Sequence, residues 1–180
     1  SFPEQILYKS TANLDPNETY ELVVDKGDTN EVTTATTPLV QNFNINKPNI
    51  APAAQINFKT SQDVFFNYPV QWTSAVNGLV HRVTLRFYFR EVDLSNPNDT
   101  VLKFVDWVQE DDVAPDADGA NAMQRQLNGE DFFRFLQNNL EVKPNVKRLI
   151  GKGEVQFSSV NATDHLDFIF DVGGEDLYNY

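Results

Sequence analysis

The chain has 180 residues, 41% of them hydrophobic and 14 of them phenylalanine, which is enough apolar material for an ordinary buried core and too much for a disordered chain. Its 14 basic residues meet 26 acidic ones for a formal net charge of -12, so a phosphate backbone would encounter mostly like charge and nucleic acid is not expected as a partner. Cysteine is absent, which removes disulfides, thiol nucleophiles and thiolate metal sites, and no apolar run reaches the ~18–20 residues of a transmembrane helix.

The opening SFPEQILYKS carries neither an initiator Met nor a signal peptide, and we read the chain as mature or truncated. The stretch ILYKSTANLDPNETYELVVDKGDTNEVTTATTPLV reads as two or three short strands rich in Thr and Val, with Gly27 between the last two. Pro48 and Pro52 then break any regular element, so residues 46–54 are expected to be a linker between a first unit, 1–45, and a larger one, 55–180. Strands follow near 54–59, 68–72, 79–92, 100–109, 153–160 and 165–172, separated by Asn, Asp, Pro and Gly clusters; this spacing predicts an all-β, mainly antiparallel sandwich. One helix interrupts it near 129–141, with Asn128 placed to cap, Glu130 and Asp131 at the positive end of the dipole, and Pro144 as a stop. Phe132, Phe133, Leu136 and Leu140 fall near one face, as in a helix covering an open end of the sandwich.

The stretch HRVTLRFYFREV, residues 81–92, alternates with period two. Val83, Leu85, Phe87 and Phe89 therefore share one side, and Arg82, Thr84, Arg86, Tyr88 and Arg90 the other. Burying each of the four apolar side chains is worth roughly 1.5–3 kcal/mol, and a one-residue slip would expose them all, so the register is firmly set. On neighbouring strands Asp167 and Asp171 point away from the core, and Asp106 and Glu110 share a side. Three readings of the arginine face stay open: a cross-strand charge ladder, a contact surface for a protein or a carbohydrate, and an anion site. For a contact surface the candidates are Arg82, Arg86, Tyr88 and Arg90, with Trp72 and Trp107 as aromatic contacts.

Chemistry is sparse. His81 and His165 are the only histidines, neither sits in a nucleophile or metal motif, and both read as surface or strand-end residues. No short motif singles out a carboxylate pair. The acidic loop QEDDVAPDADGANAM imitates a fragment of a calcium loop at Asp116, Asp118 and Gly119, but the closing Glu and the flanking helices are missing, so Asp116 and Asp118 are only weak calcium candidates. We expect no enzyme activity, no cofactor and no metal. Asn17, Asn98 and Asn161 head N-x-T tripeptides near predicted turns. Asp99-Thr100-Val101 resembles the Asp-Thr/Ser-aliphatic sites at which Bacteroidota attach O-glycans to exported proteins, which makes Thr100 a glycosylation candidate.

Leu14, Pro16 and Tyr20 stand in the L-x-P-x-x-x-Y spacing that resembles the E–F corner of a fibronectin type III domain, with YELVV as its strand F and NEVTTAT as strand G. Residues 1–45 would then be the C-terminal part of such a domain. This order, with the proline linker, the Tyr/Trp-bearing strand pair and GEDFFRFL … DFIFDV … DLYNY, is similar to a family of Bacteroidota cell-envelope lipoproteins of unknown function. The resemblance implies an exported protein of the outer membrane or cell surface, held by a lipid anchor, although no lipobox cysteine is present. It implies binding or assembly: an accessory subunit docking onto an outer-membrane protein complex, or alternatively a free-standing glycan-binding or adhesion module.

Overall fold

The computed structural model describes residues 11–25, 27, 32–49, 56–60, 62, 64–151 and 165–175. The expected strand at 153–160, the sequon at Asn161, Pro52 and the terminal DLYNY segment beyond Glu175 lie outside the described residues. Among the described residues 53% are strand, with one short helix and antiparallel pairing in every ladder, a sandwich-like all-β fold.

β1 (Thr19–Asp25) and β2 (Val32–Pro38) form an antiparallel hairpin, with Gly27 between them at φ +70, the conformation a glycine adopts without steric cost. Both of its faces are exposed. Ahead of it the Tyr20 hydroxyl donates to the Asp15 carbonyl at 3.3 Å and accepts from the Asp15 N–H at 2.6 Å, pinning the entry to β1. The following stretch is tied down where the Gln41 N–H donates to the Val76 carbonyl at 3.0 Å and the Asn77 amide donates to the Leu39 carbonyl at 3.0 Å.

The smaller sheet of the sandwich runs β3 (Ile45–Lys47), β4 (Asn67–Thr73), β8 (Ala122–Asn128). β3 lies partly in the stretch expected to be linker: Ile45 and Lys47 pair with Trp72 and Gln71, so the sandwich starts at Ile45, and Pro48 ends the strand instead of preventing it. The strand expected near 54–59 reduces, within the described residues, to one bridge between Lys59 and Phe65, which brings Phe58 into the core.

The larger sheet is organised around β5 (Val80–Asp93). On one side it pairs with β6 (Asn96–Val108) and β7 (Asp112–Val113); on the other, with β9 (Val146–Ile150) and β10 (Leu166–Gly173). Val83, Leu85, Phe87 and Phe89 are buried as the alternation requires, against Val70, Trp72, Leu127, Phe58 and Phe132. The helix α1 (Gly129–Asn139) is capped by the Asn128 side chain, which accepts from the Asp131 N–H at 3.1 Å. It ends at Leu140, well before Pro144, and lays Phe132 between Phe58, Phe87 and Trp107. No helix among the described residues is long and apolar enough to cross a membrane.

Candidate functional site

Strand pairing fixes what lies beside each arginine on the outer face of the larger sheet. Across β5, Asp167 and Asp106 flank Arg86, Leu149 and Leu102 flank Arg90, Phe104 stands opposite Tyr88, and Ile169 and Val108 flank Thr84. The charge-ladder expectation is met most directly at Arg86, whose guanidinium makes two bonds to Asp106, 2.7 and 2.8 Å. Arg82 passes over Asp171, its register partner, and forms the same two-bond pair with Asp111 at 2.6 and 2.8 Å. The hydrogen bond from Arg86 holds the Asp106 carboxyl below the ordinary carboxylate range, and Arg82 does the same for Asp111. Tyr88 donates to Asp167 at 2.8 Å.

Between these polar pairs β6 turns three apolar side chains outward: Leu102 is 48% exposed, Phe104 51% and Val108 55%. The Arg86 guanidinium lies 4.1 Å from the centre of the Phe104 ring, and the Tyr88 ring meets the same phenylalanine at 6.0 Å. The arginine forks at positions 82 and 86 are already spent on carboxylates. Sequence reasoning named the arginines and missed Leu102, Phe104 and Val108, although they share the parity of Asp106 in the same strand.

The two tryptophans do not join this face. Trp72 is 1% exposed, packed against Phe170 at 5.6 Å, because β4 turns Val70 and Trp72 together into the core. Trp107 stands opposite Leu85, which puts it on the inner face, half-buried against Phe132 and Phe135. His81 likewise differs from the expected surface residue. It is fully buried, since its parity is that of Val83 and Leu85, and its Nδ1 accepts the Trp72 Nε1–H at 3.2 Å. Burial pushes its pKa down, against weaker opposing contributions from the Gly78 backbone and Asp112. Beside it Asp112, the register partner of His81, takes two bonds from Arg125 of β8 at 2.7 and 2.6 Å, joining the two sheets.

Glu91, two residues beyond Phe89 on the inward side, holds three cations: Lys103 at 2.6 Å, Lys143 at 3.1 Å and Arg148 at 2.9 Å. Hydrogen bonds from Lys103 above all, then Arg148 and Lys143, overcome burial and hold its carboxyl at about 2. In the acidic loop, one Asp116 oxygen accepts from the Asp118 N–H at 3.0 Å and the Asn121 amide at 2.8 Å, so it shapes the turn. No group of three His, Cys, Asp or Glu side chains among the described residues could hold a metal ion. Thr100 lies inside β6, half-buried opposite Val92; the strand expected near 100–109 starts earlier, at Asn96, so the Asn98 tripeptide lies within it. Comparison with protein-family models, curated proteins and solved structures finds no match to this chain.

Proposed function

We propose that this protein is a non-catalytic binding or assembly component of the cell envelope, an accessory subunit that docks onto an outer-membrane protein complex through the outer face of its larger sheet. The observation that carries the reading is the row Leu102, Phe104 and Val108, about half exposed and framed by the Arg86–Asp106 and Arg82–Asp111 pairs. Apolar centres ringed by polar pairs are the usual anatomy of a protein contact. A glycan module draws less support: sugars stack on open aromatic faces, whereas Phe104 is covered by a guanidinium and both tryptophans belong to the core side. Placement in the envelope is supported by the lipoprotein resemblance. The absence of catalysis is supported by a histidine at position 81 that is fully buried beside Trp72, and by carboxylates at 106, 111 and 112 already engaged by arginines.

The test is affinity purification of the full-length protein from its native membrane, salt wash, and mass spectrometry, beside a Phe104→Asp variant of unchanged melting temperature. A stoichiometric membrane protein retained by the native chain and lost with Phe104→Asp is the expected result. Recovery of the chain alone, or capture that ignores the substitution, overturns the docking face.

A further inference from the structure

An edge strand offers a row of N–H and C=O groups that another extended backbone satisfies well. β6 pairs with β5 along one side, and among the described residues no strand pairs with its other side. Edges of this kind are normally guarded by proline, a bulge or a free charge. From Thr100 to Val108 there is no proline and no register shift against β5. The one cation there, Lys103, is drawn inward to Glu91 at 2.6 Å. Lys103 and Asp106 are the only charged residues in that stretch, so it is locally neutral in a chain of net charge -12. Self-repulsion, which opposes contact on so acidic a surface, is reduced along a neutral stretch.

We infer that β6 pairs antiparallel with β6 of a second copy about a two-fold axis at Val105, joining the two larger sheets into one. A two-fold contact must be complementary to itself, and this register meets that condition. It sets Leu102 against the second copy's Val108, and Val108 against its Leu102, on the outer face. On the inner face it sets Lys103 against Trp107, a cation beside an aromatic ring. No like charges stand directly opposite. The same register sets Phe104 against the second copy's Asp106 twice; one centred on Phe104 would set Leu102 against Asp106 and Val108 against Thr100, and so would lose both Leu102–Val108 contacts. The pairing also brings the apolar rows of the two copies together across the joint, giving one continuous outer face where two separate monomers have one each.

The test uses the full chain. Sedimentation equilibrium from about 1 to 200 µM should show the mass rising from 20.5 kDa toward twice that value. Leu102→Lys/Val108→Lys should abolish the rise while moving the melting temperature little, because both side chains are about half exposed. The chain has no cysteine, so each single-cysteine variant carries one thiol. Val105→Cys should oxidise to a disulfide-linked dimer, and a mixture of Leu102→Cys with Val108→Cys should cross-link while each alone does not, since directly opposed residues lie about 4.5–5.5 Å apart at Cα. A monomer at every concentration overturns the inference, as does a dimer that survives the double lysine variant or cross-links at other positions. A monomer whose β6 amides gain exchange protection only on adding a membrane partner also overturns it, assigning the edge to a foreign strand. The mass of the purified chain requires no membrane partner, so this result and the docking test stand or fall separately.

Discussion

Replacing Glu91 by Gln keeps the shape of the side chain and removes the charge that gathers Lys103, Lys143 and Arg148. A carboxyl held at about 2 against an ordinary 4.5 is stabilised in the folded state by up to roughly 3 kcal/mol at neutral pH. Lys103 and Lys143 have side chains 40% and 38% exposed, so water screens part of this and the expected loss for Glu91→Gln is about 2 kcal/mol. The sign follows from a lowered folded-state pKa: the contribution is complete above the unfolded value of 4.5 and is lost as pH falls toward about 2. Urea unfolding of both proteins should give the same gap at pH 7 and at pH 5.5, and a gap reduced by roughly a third to a half near pH 3.5. A gap under about 0.5 kcal/mol at pH 7, or one that stays constant down to pH 3.5, would refute the assignment.

Gly129→Ala improves helix propensity by about 1 kcal/mol yet should destabilise the protein, because the new Cβ would collide with the Phe58 and Phe66 carbonyl oxygens; a higher melting temperature would contradict the packing described. Asn128→Ala should cost about 1 kcal/mol in urea unfolding through loss of the cap on the Asp131 N–H. His81 has a folded-state pKa below its unfolded 6.5, so the unfolded chain takes up more protons and stability should fall as pH drops below 6.5. His81→Gln should flatten that slope between pH 7 and 5.5, and an unchanged slope would place its origin elsewhere.

Legibility in the sequence followed period and parity. The two-residue alternation of HRVTLRFYFREV fixed β5, its buried row and the register partners that later proved charged, because one inward face leaves no freedom to slip. Asn128 and the acidic first turn of α1 were equally readable, since capping is local chemistry. β8 was not, because AMQRQLN carries Arg125 among inward positions and its compensation, Asp112, comes from a different sheet. β3 was hidden by its neighbouring proline, and β9 by its length of five residues. At the candidate site, arginines drew notice as charges, while the phenylalanine and leucine between them looked like core. The inward placement of His81 follows from its parity with Val83 and Leu85 on β5, and that of Trp72 and Trp107 from the same alternation on β4 and β6.

Among the described residues, all the other strands of the larger sheet form their ladders with β5, and Phe87, which meets Val105 on one flank, finds its partner on the other only in Leu166. At ~5–20 residues per second, a ribosome needs roughly 4–16 s to deliver that partner. For that interval a 14-residue segment of strong β propensity waits with one flank unoccupied, the situation in which chains adhere to one another. Arg82, Arg86 and Arg90 interrupt it at every fourth position. Charges spaced along such a strand oppose its adhesion to another copy, which gives the three arginines a consequence for the open flank of β5 before β10 is made.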